Sequence, residues 1–338
     1  MLNSIYQLTT PKRISVRHED VDVENQVIIR PEYMALCHAD QRYYQGKRDI
    51  KVLRKKLPMA LIHESCGRVL HDPTGTFKTG ESVIMIPNIP GDRNEKVIYE
   101  NYGRGGGFLS SGYDGFMREF VNLPADRVVP FSDIDPRIAA ITEFISVGMH
   151  AANRFEKASH EYKNSIGIWG DGSLSFVVSS ILRERYPKAK ITVIGRNINK
   201  LEQFSFIDET FLTDSIPDDF HIDHAFECCG GEGSYFAIDD IINHINPQGT
   251  VMLMGVSENK VAINTRDVLE KGLTVVGSSR SGRIDFENAV EFLKDKAVQR
   301  RFRSIIYIAD KVKDISDIHN VFSVDMDTDF KTVFKWDV

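Results

Sequence analysis

The chain has 338 residues, 42% of them hydrophobic and 27% charged, with a formal net charge of −6. That length predicts roughly two domains, and the acidic balance argues against nucleic acid or an anionic membrane as the main partner. Four cysteines, at 37, 66, 228 and 229, are too sparse for a disulfide framework and point to a reducing compartment, the cytoplasm.

The first residues, MLNSIYQLTTPKR, lack the apolar core of a signal peptide, and no run is long and apolar enough to span a membrane. Residues 1–135 read as short strands in VENQVIIRPEYMALC, SCGRVL, ESVIMIP and FMREFVNL, punctuated by Pro and Gly. The glycine-rich stretch 101–112, NYGRGGGFLSSG, reads as a mobile loop. From about Pro136 to Phe155 a helix is expected, with Ile138, Ile141, Ile145 and Met149 on one face.

Strands and helices then alternate. SIGIWG, ITVIG, DHAFEC, TVMLMG and LTVVGS read as strands and SLSFVVSSILRERY as a helix, a parallel βαβ series. A helix over about 285–297, the strand SIIYIA, a short helix and the strand FKTVFKW follow. The expected fold class is α/β, a β-rich first part followed by a doubly wound parallel sheet.

Gly170-Asp171-Gly172-Ser173-Leu174-Ser175 follows a strand and opens a helix. The first glycine permits the tight turn, the second lets a pyrophosphate reach the backbone, and the helix N-terminus favours the anion. Ser175 replaces the third glycine, which weakens the fingerprint. An NAD site usually ends its second strand on Asp or Glu. Here that position is Gly195, with Arg196 next and Lys200 a turn later, a pattern that favours a 2′-phosphate and hence NADP(H).

Cys37 in LCHAD, His63-Glu64 in LIHES and Glu143 in TEFISVGMHA supply a thiolate, an imidazole and two carboxylates. Singly, each has a structural reading as buried thiol, packed imidazole or surface acid. Glu143 resists that reading, because a carboxylate on a mostly apolar helix face needs a partner. A catalytic zinc takes three or four donors and keeps one position open, and Cys37 and His63 with one or both of Glu64 and Glu143 meet that need. Asp40 is expected to accept from a ligand imidazole, and His38 to point the other way. Cys66 and the Cys228-Cys229 pair read as structural cysteines, and Trp169 as core packing.

These segments, with DGFMREF at 114–120 and FECCGG at 226–231, resemble the zinc-dependent medium-chain alcohol dehydrogenases over essentially the whole length. The resemblance implies a GroES-like catalytic domain over 1–150 with an inserted Rossmann domain over 151–279, the chain returning to the catalytic domain over 280–338. It matches Cys37, His63 and Glu64 to the family's first ligand positions, and Glu143 to the glutamate of polyol dehydrogenases. The lobe with four clustered cysteines is absent, so one metal per chain is expected. The usual hydroxyl of the proton relay is Ala39 here, which leaves Glu64 or Glu143, acting through water, as candidates for the proton path.

LPMALIHES, GIWGDGSL, DHAFECCGG and NTRDVLEKGLTVVGSSRSG are more narrowly similar to the ribulose-5-phosphate reductases (ribitol-5-phosphate 2-dehydrogenases). That likeness implies NADPH-dependent reduction of D-ribulose 5-phosphate to ribitol 5-phosphate, the precursor of CDP-ribitol for teichoic acid or capsule. Cys228, Gly255, Ser278, Ser279 and Arg280 join the expected cofactor contacts. Arg42, Lys47, Arg48, Arg280 and Arg283 are candidates for the substrate phosphate, though each singly reads more readily as a solvated surface cation. The likeness further implies a homodimer and a separate ribitol-phosphate cytidylyltransferase partner, since 338 residues leave no room for that second catalytic domain. Competing readings are a polyol dehydrogenase for an unphosphorylated sugar alcohol, a non-catalytic scaffold for the cytidylyltransferase, and a metal-free quinone reductase.

Overall fold

A computed structural model describes residues 1–92 and 96–338. The chain forms two units, Met1–Ser146 with Ser281–Val338, and Val147–Arg280, so the division falls inside the helix Thr142–Ala158.

The first unit is built on antiparallel sheets. An N-terminal hairpin pairs Leu2–Thr10 with Arg13–Asp20, and Ile5 and Leu8 turn inward from its alternating pattern. A larger sheet runs, in spatial order, through Val128–Pro130, Ser82–Met85, Glu64–His71, Val27–Ala35, Lys331–Lys335 and Ile306–Ile308. Val121–Leu123 also pairs with Val27–Ala35. The C-terminal strand therefore lies antiparallel beside the strand that leads to Cys37, with Val333 opposite Ala35. One hydrophobic core joins the two chain ends, from Ile5 and Leu8 through Met34 and Phe116 to Phe334 and Trp336.

The second unit is a six-stranded parallel sheet. Its strands are Ser165–Trp169, Lys190–Gly195, Glu209–Leu212, Ile222–Glu227, Ile245–Leu253 and Thr274–Gly277. They lie in the order third, second, first, fourth, fifth, sixth, the doubly wound arrangement. Trp169, Ile194, Ala225 and Ile241 pack in its core, and the Trp169 indole N–H donates to Asp240 at 2.5 Å. Among the described residues no helix is long and apolar enough to cross a membrane.

Several boundaries differ from the sequence reading. FMREFVNL is extended as a strand only at Val121–Leu123. The backbone of Phe116 and Met117 instead bonds Ile62 and Leu61 across a loop. The expected helix over 136–155 is two helices, Pro136–Ala139 and Thr142–Ala158. Asp135 caps the first, and the Thr142 hydroxyl donates to the Ala139 carbonyl at the break. The helix placed at 285–297 is likewise two, Arg283–Leu293 and Lys296–Arg303, because Asp295 caps a fresh start. The glycine-rich stretch carries structure: Gly107–Phe108 pairs with Asn88–Ile89, and Leu109 and Ser110 are buried.

Candidate metal centre and cofactor cavity

Cys37 ends the extended segment after Val27–Ala35 and precedes the helix His38–Tyr44. Asp40, in the first turn of that helix, reaches back to accept the Cys37 backbone N–H at 3.3 Å. The other Asp40 oxygen accepts the Ile62 N–H at 3.0 Å and the Ser110 hydroxyl at 2.7 Å. Asp40 also faces His63 Nδ1 at 3.6 Å. One fully buried carboxylate thus ties together the segments that carry the thiol and the imidazole, and it turns Nε2 of His63 away from itself.

Ile62 holds its segment at φ +69°, a conformation rare for a β-branched residue. The surroundings enforce it. Its N–H is taken by Asp40, its carbonyl accepts the Phe116 N–H at 2.7 Å, and Gly115 packs so closely that a Cβ there would lie 2.3 Å from that carbonyl oxygen. The distortion delivers His63 and Glu64 side by side at the start of the strand Glu64–His71.

Ligand atoms of Cys37, His63 and Glu64 all lie within 4.8 Å of one another. Glu64 uses one oxygen to accept from Lys331 Nζ at 2.6 Å. Its other oxygen is buried with no hydrogen-bond partner. An orphaned carboxylate oxygen beside a thiol and an imidazole is costly unless a cation takes it, and this soft-plus-hard donor set suits zinc. Glu143 lies in the first turn of Thr142–Ala158, buried and in the electrostatic reach of His63, Glu64, Lys331 and Asp40, but outside the close three-residue cluster.

The titrations follow from burial and charge. Burial pushes the Glu143 carboxyl up to about 7, with the His63 charge opposing and Glu64 adding to the rise. Burial also raises Glu64, against the pull of the Lys331 charge. Lys331 stays a cation in spite of burial, because Glu64 raises its pKa. Burial alone would lower His63, but the Asp40 charge and hydrogen bonding, with Cys37, lift it well above its ordinary value. A divalent cation competes with that proton, since ligation requires the neutral imidazole and the thiolate.

In the second unit, a cavity of about 590 Å³ opens over the first two strands. Of the sequence-predicted cofactor residues, Gly170, Asp171, Gly172, Gly195, Arg196 and Cys228 line it, and Trp169 adds a wall that the sequence assigned to packing alone. Ser173, Leu174, Lys200, Gly255, Ser278, Ser279 and Arg280 belong to the same unit but are not among the lining residues. Gly170 adopts φ +127° at the turn, where a Cβ would meet the Ser175 hydroxyl at 2.7 Å. A Cβ on Gly172 would meet no protein atom within 4 Å, so the space at that position is open to a ligand.

Asp171 accepts the backbone N–H groups of Arg196 and Asn197 at 2.7 and 2.8 Å. It shapes the loop after the second strand, and it fills the space that a side chain on Gly195 would need, with a Cβ contact of 2.5 Å. Burial raises both cysteines of the neighbouring pair, Cys229 to about 12, so neither is a thiolate at neutral pH.

Three residues escaped the sequence reading. Lys331 is buried against Glu64, and only its place in the apolar run FKTVFKW hinted that it needed a partner. Ser110 carried no signal beyond its glycine-rich surroundings. Glu227, fully buried, accepts from the backbone of Cys229, Gly230 and Gly255 and from the Ser234 hydroxyl, fixing two loops at the C-terminal ends of the strands.

Comparison with known proteins assigns the class first. Residues 23–133 match the alcohol dehydrogenase GroES-like domain, and residues 189–295 match the zinc-binding dehydrogenase domain. The ribulose-5-phosphate reductase of Streptococcus pneumoniae is 58% identical over 100% of this chain and 98% of its own length. Ribulose-5-phosphate reductase 2 of Staphylococcus aureus is 47% identical over 100% of both. The crystal structure of S. aureus TarJ in complex with NADPH matches over 100% of both chains, at 42% identity and a TM-score of 0.89. The chain belongs to the ribulose-5-phosphate reductase family of zinc-type alcohol dehydrogenases.

Proposed function

We propose that this chain uses NADPH and one zinc ion to reduce the C2 carbonyl of D-ribulose 5-phosphate, giving D-ribitol 5-phosphate for CDP-ribitol and, through it, teichoic acid or capsule. The observation that carries the reading is the close cluster of Cys37, His63 and Glu64, with the second Glu64 oxygen buried and unpartnered. The names of the relatives at 58% and 47% identity support the substrate. The TarJ complex supports the cofactor.

Cys37, His63 and Glu64 would hold the metal, with Glu143 as a further carboxylate in their electrostatic reach. Zinc bound there supplies a Lewis acid that polarises the carbonyl. NADPH supplies the hydride. Asp40 keeps the His63 imidazole in one tautomer and orientation. Ala39 offers no hydroxyl, so the proton for the C2 oxygen is assigned to the carboxyl of Glu143, which burial biases toward its protonated form. In the second unit, Gly170 and Gly172 would admit the pyrophosphate of a bound dinucleotide, and Arg196, beside Gly195 in the same cavity, would supply a cation for its 2′-phosphate.

An intact donor cluster favours an enzyme over a scaffold, and a thiol and imidazole in the ligand positions favour it over a metal-free quinone reductase. Four free cysteines fit the reducing cytoplasm as its location. A homodimer is proposed through the edge strand Thr274–Gly277, where Val275 is 40% exposed. A ribitol-phosphate cytidylyltransferase is the partner expected to consume the product.

The test is NADPH oxidation by the purified protein with D-ribulose 5-phosphate and with D-ribulose, alongside metal analysis. Chelation should abolish activity and zinc should restore it. Full activity without metal, or faster reduction of D-ribulose than of its phosphate ester, would overturn the reading.

A further inference from the structure

Two cations gather against one buried aromatic ring in the segment that follows Cys37. The Arg48 guanidinium carbon lies 4.9 Å from the Tyr43 ring centroid, and Lys56 Nζ lies 5.7 Å from the same centroid. Tyr43 is buried, so the ring is a fixed wall that holds both side chains. Lys56 Nζ also donates to the Ser111 hydroxyl at 2.7 Å. Among the described residues, no carboxylate lies within ion-pair distance of Lys56. A cation fixed in this way on a ring and a hydroxyl favours a bound anion.

The group lies beside the metal centre by connectivity. Ser111 follows Ser110, whose hydroxyl donates to Asp40, and Asp40 faces His63. Tyr43 belongs to the helix His38–Tyr44 that begins next to Cys37. Arg42, Lys47 and Arg48 all add positive potential at His38, opposed there by Asp325.

We propose that Lys56 and Arg48, braced on Tyr43 and joined by Ser111, form the subsite for the phosphate monoester of the substrate. The proposal rests on the reading above that the substrate is a pentulose 5-phosphate reduced at C2. Three carbons and an ester oxygen separate that carbonyl carbon from phosphorus, so one end of the molecule reaches the metal while the other needs cations a short way off. Ser111 Oγ accepts from Lys56, which leaves its own proton to donate to a phosphate oxygen, and Lys56 keeps further N–H donors for the same group. Arg283, another candidate from the sequence, is engaged elsewhere. Its Nε donates to Glu287 at 2.8 Å and its Nη1 to the Val128 carbonyl at 3.0 Å.

The experiment compares wild type, Lys56→Gln, Lys56→Arg and Ser111→Ala, each loaded with zinc, on D-ribulose 5-phosphate and D-ribulose. Loss of one charged hydrogen bond to phosphate should raise KM for the ester about 10- to 100-fold in Lys56→Gln and lower the preference for ester over free sugar by a similar factor. Lys56→Arg should recover most of it, and zinc content should hold. Inorganic phosphate should compete with the ester in wild type and lose that effect in Lys56→Gln. An unaltered KM for the ester in Lys56→Gln, or an equal loss on both sugars reproduced by Ser111→Ala, overturns the subsite. If wild type itself prefers D-ribulose, the substrate reading falls instead, and the two failures stay distinct.

Discussion

Replacing Lys331 with Met should separate the two roles of Glu64. The ammonium donates to Glu64 Oε1 at 2.6 Å and to the Leu36 carbonyl at 2.7 Å, and it lies 4.8 Å from the Phe144 ring centroid. The side chains are 4% and 0% exposed, so water does not screen the pair. At an effective dielectric constant of about 20, unit charges at that separation attract by ~6 kcal/mol. Desolvation of both ions offsets much of that, but removing one partner strands the other, which costs ~3–5 kcal/mol.

Zinc changes the outcome, because a cation on the other Glu64 oxygen stands in for the lost ammonium. Lys331→Met should therefore unfold about 3–5 kcal/mol more easily when chelated and recover part of that loss when zinc is bound. The stabilisation conferred by zinc should grow in the variant. The two tryptophans, Trp169 and Trp336, fall one in each unit, so urea unfolding followed by fluorescence in a Trp169→Phe background reports on the first unit. A chelated variant that loses less than about 1 kcal/mol, or one that loses the same amount with and without zinc, would refute the charge argument.

Two further outcomes are expected in the second unit. His224 donates from Nε2 to the Tyr162 carbonyl and accepts the Thr250 N–H on Nδ1, both at 3.1 Å, so a second proton breaks a bond. Burial first, and then the charge of His160, push its pKa down to about 4. With the folded value below the unfolded one, its contribution is complete above about pH 6.5 and is lost as pH falls toward 4, a limit of ~3 kcal/mol before solvent screening. His224→Gln should flatten that acid slope in unfolding measurements, and an unaltered slope would refute the assignment. Gly195→Asp restores the acid typical of NAD sites, but its Cβ would meet that of Asp171 at 2.5 Å. Titration should find weaker NADPH binding with no gain for NADH, and a clear gain for NADH would count against this packing.

The doubly wound unit was largely legible because its central strands are buried on both faces, so runs such as SIGIWG and ITVIG stand out as continuous apolar segments. Glu209–Leu212, the half-buried outer strand, has no such run, and the sequence reading passed over it. The ligand types were legible for a different reason: thiol, imidazole and carboxylate in apolar surroundings need a partner wherever they fold. What the sequence hid were links between residues far apart in the chain, such as Lys331 with Glu64 and Ser110 with Asp40.

Asp40 shows why such links decide the chemistry. Read locally, it is a helix-opening acid three residues after a cysteine. In the fold it accepts from Cys37, Ile62 and Ser110 and faces His63, so its charge holds the ligand loop, the strained turn at Ile62 and the Ser110 segment in one arrangement. Its pKa is lowered although burial alone would raise it, because His63 and these donors outweigh the cost. The groups that favour this charge all belong to the protein. The scaffold of the centre is therefore set before zinc arrives, while the unpartnered oxygen of Glu64 is left for the ion to satisfy.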